Sequence, residues 1–395
     1  MLKVLELFAG IGACSKALTN LGIEHEIVDA VEIDKYAIKS FNAIHGTNFE
    51  PQDITKWNKD IKADLIMHGS PCQDFSVAGK NAGGDEGSGT RSSLLYETLR
   101  IVEKVQPDIV IWENVKNLLS KRHKHNHEAY LQRMSDMGYD SVTQILNAKD
   151  YGIPQNRERV FTISIKYGSK LVKSYVHPWP RPLEIRLKDI LEDEVEERYY
   201  LTDEQVASFV ASTERAKAKG NGFKFEPFER ERERESYACG SEQGRESADR
   251  QLYSRVNRLG GLYDKPGSQH QAGSVYDPQG IAATLSTMQG GNQEPIIVAS
   301  RGRGEHNMQH LEPRKDDLTN TITSVQKDNY VATDGFRIRK LTPRECWRLM
   351  GFDDADFDKA QAAGISNTQL YKQAGNSIVV KCLEAIFRGI EWNDD

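Results

Sequence analysis

The alternation of apolar runs with amphipathic segments over residues 1–166 constrains the fold of this chain more than any other feature. Helical patterns separate most of the strand-like apolar runs, which occupy residues 2–8, 25–33, 63–69, 108–115, 139–148 and 159–168. Strands that alternate with helices of this length are typical of βαβ units. The sequence therefore predicts an α/β fold with a mostly parallel sheet.

A proline-rich segment, HPWPRPLE at 177–184, marks the end of this pattern, because three prolines in eight residues break regular structure. Residues 260–334 are rich in Gly, Asn, Gln, Ser and Thr and contain only short β-prone runs. Since single cores stop growing at roughly 250–300 residues, a chain of 395 residues suggests two domains. We expect a first domain of residues 1–178 plus 365–395 and a second, smaller, loop-rich domain of residues 179–364.

Composition excludes several classes of protein. A hydrophobic fraction of 38% and a charged fraction of 28% fit a globular chain and not a disordered one. No apolar run approaches the ~20 residues of a membrane-spanning helix. Lys3 and Glu6 interrupt the apolar N-terminus, unlike a signal peptide, so a cytoplasmic protein without a membrane partner is expected. Five cysteines without a C-x-x-C pair argue against a disulfide framework and a zinc site, and no metal is expected.

Local charge is more informative than the net charge of −6, which gives no global sign of nucleic-acid binding. A cluster with few acids lies late in the chain and is a candidate basic surface, formed by Arg337, Arg339, Lys340, Arg344 and Arg348. Overall acidity therefore does not exclude DNA as a partner.

The turn after the first predicted strand, in LELFAGIGA, is a candidate cofactor site. Gly10 and Gly12 allow backbone N–H groups to approach a ligand there. Glu32 closes the second strand, where an acid commonly binds ribose hydroxyls, and Asp53 is placed to meet an adenine edge. Ser15 replaces the third glycine of a dinucleotide fingerprint, so an adenosine-bearing cofactor without pyrophosphate is favoured. A purely structural tight turn is the alternative.

Cys72, in the segment GSPCQDFSVAG, follows the third predicted strand at the edge where open α/β sheets bind ligands. A packing cysteine would be expected inside the strand, so Cys72 is a candidate nucleophile. Glu113 closes the fourth strand, and an acid on an apolar strand is often retained for chemistry. Arg157 and Arg159 alternate in QNRERVF, which places both on one strand face, suited to an anion or a heterocycle oxygen. Structural ion pairing is the alternative for these charged residues.

The order of six motifs resembles that of the DNA (cytosine-5) methyltransferase family of bacteria and phages. The motifs are ELFAGIGA, GSPCQDFS, WENVKNLL, QNRERVF, RKLTPRECWRLMGF and YKQAGNSI, and they cover the chain except for about 180–335. The resemblance implies a Rossmann-like sheet in a catalytic first domain, S-adenosylmethionine as methyl donor, and catalysis by Cys72, Glu113, Arg157 and Arg159. It also implies a cofactor site formed by Phe8, Gly10, Gly12, Glu32, Ile33, Asp53, Leu94 and Asn376.

The resemblance implies a covalent mechanism on a cytosine that has flipped out of the duplex. The Cys72 thiolate would add to C6, while Glu113 protonates or hydrogen-bonds N3 and Arg159 holds O2. C5 would then take the methyl group and lose its proton as Cys72 is expelled. The Gly-rich segment after Cys72 is expected to act as a lid.

The variable region at about 180–335 is expected to recognise the target sequence in the major groove of double-stranded DNA. Thr284 and Leu285 are the leading candidates for contacts beside the flipped base, and Thr321-Ile322 is the competing pair. The family also suggests a monomer and a cognate restriction endonuclease in the same system. Further candidate DNA contacts are Gln73, Ser76, Lys80 and Arg91.

Three alternatives compete with this interpretation. An RNA (tRNA) cytosine-5 methyltransferase would share the fold, but the long variable region favours duplex DNA. A catalytically silent DNA-binding regulator would not need Cys72, Glu113 and Arg159 together. A nicotinamide dehydrogenase would explain the glycine turn and leave those three residues without a role.

We expect that exchanging residues 180–335 for the corresponding region of another family member changes the methylated DNA sequence, because the side chains that contact the bases are exchanged with it. Bisulfite sequencing of DNA from cells that express the hybrid reports both modification and sequence context. The parent chain in the same cells is the control, and an unchanged target would assign recognition to another region.

Overall fold

The structure, a computed structural model, describes residues 1–71, 94–202, 204 and 339–393 with their side chains. Between 204 and 339 it describes the backbone of short strands. No helix in these described parts is long and apolar enough to cross a membrane. Several candidate residues lie outside the described residues: Cys72, Gln73, Ser76, Lys80, Arg91, Thr284, Leu285, Thr321 and Ile322.

Strands and helices alternate through the first part of the chain, as the sequence predicts. They are β1 (Leu2–Leu7), α1 (Ala13–Asn20), β2 (His25–Val31), α2 (Lys35–His45), β3 (Leu65–His68), α3 (Leu95–Val105), β4 (Ile109–Val115), α4 (Lys124–Asp136), β5 (Tyr139–Asn147), β6 (Gln155–Asn156), β7 (Glu158–Lys166) and β8 (Val172–Tyr175).

Short strands precede a helical C-terminal part. The described elements are β9 (Arg258–Gly261), β10 (Ser274–Tyr276), β11 (Ala282–Ala283), β12 (Ile296–Ser300), β13 (Phe336–Lys340), α5 (Pro343–Arg348), α6 (Asp354–Ala362), α7 (Asn367–Asn376), α8 (Val380–Arg388) and β14 (Ile390–Trp392).

Six strands form the central sheet in the order β2-β1-β3-β4-β7-β5. The first four of these are parallel, and β7 is antiparallel to both of its neighbours, β4 and β5. All four residues of β3 are buried, as expected for a parallel strand that is covered on both faces. The prediction of an α/β fold with a mostly parallel sheet is confirmed.

The strand register places the ends of β1, β2 and β3 at one level, which β4 crosses at Trp112, three residues before its own end at Val115. Leu7 pairs with Val31 on β2 and with His68 on β3, and His68 pairs with Trp112 on β4. Neighbouring strands lie ~4.8 Å apart, so the outer two of these four strands are separated by roughly 15 Å. The residues that follow at this edge are therefore brought together: Glu32, Phe8, Gly69 and Glu113.

The chain divides into two compact units, and the first contains Met1–Ile153, Arg157–Leu183 and Trp347–Asp395. Within it, Lys16 on α1 forms ion pairs with Asp353 and Asp356 at the start of α6, at N–O distances of 2.6 and 2.8 Å. The segment from Trp347 onward thus joins the first unit, whereas the sequence assigned its residues up to 364 to the smaller domain. The catalytic and recognition roles of the two parts stay predictions.

The second unit contains Pro154–Asn156 and Glu184–Cys346. Four of its described strands form a sheet in the order β13-β12-β10-β9, and β11 pairs in parallel with β6. Ala283 pairs with Asn156, so β11 ends one residue before Thr284. Short strands of this kind agree with the β-prone runs in the sequence.

The late basic cluster does not form the free basic surface that the sequence suggested. Charge counting could not anticipate this, because Glu192, one of the neutralising acids, lies far from the cluster in the chain. Three of its arginines have acidic partners, at N–O distances of 2.7, 3.2 and 2.6 Å in the pairs Arg339–Glu345, Arg344–Glu192 and Arg348–Asp354. For these three arginines the expectation of a free basic surface is wrong.

A buried acid, Glu6, lies within β1 and supports the turn that follows this strand. Its carboxylate accepts hydrogen bonds from the Ser15 backbone N–H, at 3.0 Å, and from the Ser15 hydroxyl. Ser15 is in the first turn of α1, where the N-cap residue Gly12 has no side chain to satisfy the free N–H groups. Glu6 therefore caps α1 from within the sheet, and burial raises the pKa of Glu6 to about 7.

We expect the buried Glu6 carboxyl to make stability fall as pH rises. Its pKa is raised from 4.5 to about 7 on folding, so its stabilisation is present below about pH 4.5 and is lost as pH rises through about 7. Between pH 5 and 8 the free energy of unfolding of the wild type should fall by about 2.5 kcal/mol more than that of Glu6→Gln.

Urea unfolding of both proteins at the two pH values measures this difference. All other titrating groups are common to the wild type and Glu6→Gln, so their contributions cancel in the comparison of the two proteins. An equal loss of stability in both proteins would show that Glu6 ionises normally in the folded chain.

Candidate active site

Glu113 and Arg159 form an ion pair at the edge of the sheet where the parallel strands end. Oε1 of Glu113 lies 3.0 Å from Nε of Arg159, and the two side chains are only 12% and 17% exposed. On the antiparallel β4–β7 pair, Glu113 is opposite Phe161, and Arg159 lies two residues from Phe161 on the same face. The sequence expectation that these two residues lie together therefore agrees with the geometry.

Burial controls the protonation of Glu113. Desolvation raises the pKa of its carboxyl, and the charges of Arg159 and Arg157 act in the opposite direction without cancelling the rise. Glu113 therefore keeps its proton to a higher pH than an exposed glutamate. Such a carboxyl can donate a hydrogen bond or a proton to a basic ring nitrogen.

Arg157 has a different environment from Arg159. Its guanidinium is almost completely buried, and Nη2 donates to the carbonyl oxygens of Gly375 and Ser377, at 3.2 and 2.9 Å. These carbonyls lie at the C-terminal end of α7, where a cation is favourable. Arg157 thus connects the start of β7 to α7, and its direct participation in catalysis stays a prediction.

The segment between β3 and Cys72 is attached to β4 by two side chains that sequence reasoning missed. Ser70 Oγ accepts a hydrogen bond from Trp112 Nε1 at 2.9 Å, and its carbonyl accepts one from Asn114 Nδ2 at 3.4 Å. A Cβ placed on Gly69 would lie 3.6 Å from Oε2 of Glu113. Gly69, which precedes Cys72 by three residues in the sequence, therefore lies beside the Glu113 carboxylate. Nothing in the sequence pairs a serine with a tryptophan so distant in the chain.

The turn after β1 has unusual backbone geometry. Phe8 adopts a φ of +54°, a left-handed conformation that is strained for a residue with a large side chain and that occurs preferentially at functional sites. Gly10 has a φ of +57°, and a Cβ placed on it would meet no atom of the described residues within 4 Å, so none of these residues fills the space that faces this turn. A Cβ on Gly12 would lie 2.1 Å from Nε2 of His45. Packing against α2 is thus sufficient reason for Gly12, and its cofactor contact stays a prediction.

Glu32 lies against the same turn. Its carboxylate accepts hydrogen bonds from the backbone N–H groups of Gly10, at 3.0 Å, and Asp34, at 2.8 Å. Burial raises the pKa of Glu32, an effect that these hydrogen bonds oppose. Each oxygen has a second lone pair that can accept from a hydroxyl. The next side chain, Ile33, is 72% exposed and offers an apolar surface beside the carboxylate.

The other three candidate cofactor residues occupy different places in the first unit. Asp53 accepts hydrogen bonds from the Thr55 N–H and hydroxyl, at 3.0 and 2.8 Å, which lower the pKa of Asp53. Leu94 is partly buried against the core at the start of α3, and Asn376 is exposed at the last position of α7. Their cofactor contacts stay predictions.

Residues 2–392 match a protein-family model, C-5 cytosine-specific DNA methylase. The chain belongs to this family. The methylase M.SPBetaI of Bacillus phage SPbeta, an orphan methyltransferase, is 33% identical over 460 residues, which cover 98% of this chain and 97% of that protein. The orphan methyltransferase M.SPRI of Bacillus phage SPR is 34% identical over 436 residues, with the same coverage. The type II methyltransferase M2.ScrFI of Lactococcus lactis subsp. cremoris is 30% identical over 444 residues, covering 98% of each chain.

Two solved structures share the fold of this methylase. Dnmt2 of S. pombe has a TM-score of 0.59 at 17% identity, and the methyltransferase EhMeth of Entamoeba histolytica has a TM-score of 0.59 at 13% identity. Each alignment covers 98% of this chain and 97% of the other. The predicted family, Rossmann-like fold class and DNA (cytosine-5-)-methyltransferase activity are confirmed. The tRNA enzyme and the silent regulator gain no support from the family or the named relatives.

We expect the hydrogen bond between Trp112 and Ser70 to affect the rate of methyl transfer. Trp112→Phe removes the indole donor and keeps an aromatic ring, so kcat should fall roughly 10- to 100-fold, because a displacement of about 1 Å at a reacting group can cost this much. KM for the methyl donor should not change, since β4 lies two strands from the glycine turn. Ser70→Ala should cause the same loss, and the double variant no further loss.

A matched control is Trp347→Phe, because the Trp347 indole is also buried and donates to the Leu370 carbonyl at 3.0 Å. This variant should lose about 1 kcal/mol of stability and retain kcat. Steady-state kinetics on all four variants measures the effect. Wild-type kcat in Trp112→Phe would remove the proposed link between this hydrogen bond and the rate.

Proposed function

We propose that this methylase transfers a methyl group from S-adenosylmethionine to C5 of a cytosine flipped out of double-stranded DNA, through a covalent bond between Cys72 and C6. The observation that carries the proposal is the buried Glu113–Arg159 pair, whose carboxylate faces Gly69. Gly69 precedes Cys72 by three residues in the chain. An acid whose pKa is raised and a guanidinium, next to the residues that lead to Cys72, can together hold the polar edge of a cytosine.

The turn after β1 fits an adenosine-bearing cofactor. None of the described residues fills the space that faces Gly10, the Glu32 carboxylate beside it can accept ribose hydroxyls, and the exposed Ile33 can contact an adenine ring. Phe8 and Asp53 would complete the adenine contacts, with Gly12, Leu94 and Asn376 nearby. When bound, S-adenosylmethionine supplies an electrophilic methyl group on a positively charged sulfur.

The chain's own residues would make C5 reactive toward that electrophile. The Cys72 thiolate forms a bond to C6, the electron pair of the C5–C6 double bond becomes a C4–C5 double bond, and the pair of the C4–N3 double bond moves onto N3. Glu113 donates its proton to N3, and Arg159 donates hydrogen bonds to O2, so neither atom accumulates a full negative charge. The raised pKa of Glu113 matters here, because an ionised carboxylate would repel this charge. Once C5 carries the methyl group, N3 returns its proton to Glu113. A base then removes the C5 proton, and the electron pair of that bond restores the C5–C6 double bond as the Cys72 thiolate leaves.

The remaining site residues would position the catalytic groups or bind DNA. Arg157 would hold α7 against the start of β7 and so fix the strand that bears Arg159. Gln73, Ser76, Lys80 and Arg91 are proposed DNA contacts, and Thr284 and Leu285 are preferred over Thr321-Ile322 beside the flipped base. Recognition of the target sequence is assigned to residues of about 180–335.

A cognate restriction endonuclease stays a prediction. The relatives include both orphan methyltransferases of Bacillus phages and a type II methyltransferase of Lactococcus lactis subsp. cremoris. We propose that the chain acts as a monomer on double-stranded DNA, in agreement with what the resemblance to the family suggests.

Two substitutions test the proposed chemistry. Cys72→Ala should lower methylation at least 10³-fold while leaving DNA binding largely intact, because the nucleophile is lost and the binding surface is not. Glu113→Gln should also lower kcat strongly, since its amide cannot deliver a proton to N3. Methylation is measured with labelled methyl donor, and DNA binding is measured separately by gel shift.

The control is Glu103→Gln, an exposed glutamate on α3 outside the candidate site, which should retain wild-type activity. DNA that contains 5-fluorocytosine should become covalently attached to the wild type, because a fluorine at C5 cannot leave as a proton. Methylation by Cys72→Ala, or an absence of attachment by an active wild type, would refute the covalent mechanism.

A further inference from the structure

A basic segment follows β4 and leads into α4. Residues 116–125, KNLLSKRHKH, contain four lysine or arginine residues and no acid. Lys121, Arg122, Lys124 and His125 are all exposed. We call these four residues the α4 basic segment.

The α4 basic segment lies at the edge of the sheet that carries Glu113. β4 ends at Val115, a four-residue 3-10 turn at Lys116–Leu119 follows, and α4 begins at Lys124. Six residues of chain can span at most ~20 Å, so Lys121 is within about that distance of the end of β4. Along a DNA duplex this distance corresponds to about six base pairs. A duplex that delivers a cytosine to Glu113 therefore has phosphates within reach of this segment.

The cations of this segment are largely uncompensated. Lys124 pairs with Glu128 at 2.9 Å, but both side chains are more than half exposed, so this surface pair contributes little and is easily exchanged. Within the described parts of the chain, neither Lys121 nor Arg122 forms an ion pair with an acid. The first turn of α4 also lacks an acid.

The α4 basic segment differs in this respect from the other cationic cluster. Arg339, buried against Glu345, cannot meet a ligand without breaking its ion pair. A basic run on a protein surface is most often simply hydrated, but here the run has one sign of charge and lies at the catalytic edge. We propose that the α4 basic segment binds phosphates of the DNA backbone, with Lys121 and Arg122 as the principal contacts.

The proposal rests on the methylase acting on DNA and adds a surface to the catalytic unit that the variable region does not contain. Phosphate contacts position the duplex and carry no sequence information. The segment would therefore strengthen binding to cognate and unrelated DNA by the same factor. Target choice would not depend on it.

The test is the double variant Lys121→Ala/Arg122→Ala in the full chain. Duplex affinity is measured by fluorescence anisotropy between 0.05 and 0.2 M salt, with an unmethylated duplex of random sequence. The slope of log K against log salt is negative, and loss of two phosphate contacts should make it less steep by about 1.8. Binding should weaken roughly 10- to 100-fold at 0.1 M salt. The charge-retaining variant Lys121→Arg/Arg122→Lys should keep the wild-type slope.

A matched control removes the same charge at the opposite edge of the sheet. Arg133 in the last turn of α4 and Lys170 after β7 are both exposed, and Arg133→Ala/Lys170→Ala should keep the wild-type slope. An unchanged slope in Lys121→Ala/Arg122→Ala, or an equal decrease in both double variants, would overturn the proposal. Methylation of saturating DNA by wild type and variants reports separately on the proposed chemistry, which fails only if the wild type itself does not methylate C5.

Discussion

The hydrogen-bonded register of four parallel strands is the constraint on which the candidate site depends. Because β2, β1 and β3 end at one level and β4 crosses this level at Trp112, just before Glu113, residues from four separate stretches of sequence meet at a single edge. Phe8 and Glu32 lie on the side of the candidate cofactor site, and Gly69 and Glu113 lie on the side of the candidate nucleophile. A shift of one residue in any strand would turn these side chains to the other face of the sheet.

Two buried acids in this sheet show how location decides the role of one residue type. Glu6 is held by the N–H and hydroxyl groups of Ser15, so its carboxylate is used in capping α1. Glu113 pairs with Arg159 near the end of β4, at the candidate active site. Burial raises the pKa of both carboxyls, but of the two only Glu113 lies at the candidate active site.

Charge shows the limit of reasoning from sequence most clearly. Arg339 and Arg344 lie in a stretch with few acids, yet folding pairs Arg339 with the nearby Glu345 and Arg344 with the distant Glu192. The α4 basic segment is the reverse case, because its lysines and arginine stay exposed in a chain of net negative charge. Whether a cation is free depends on residues that are distant in the chain, and only the folded structure brings them together.

The sequence by itself determined the α/β fold, the family and the positions of Glu113 and Arg159, because alternating apolar runs and six ordered motifs are local features of a chain. Tertiary structure decided what sequence spacing could not. It separated Arg157, which binds carbonyls at the end of α7, from Arg159, which faces Glu113. It also joined Ser70 to Trp112 and gave Gly12 a packing role against His45. These contacts form between strands and helices that are far apart in the chain, so no local pattern encodes them.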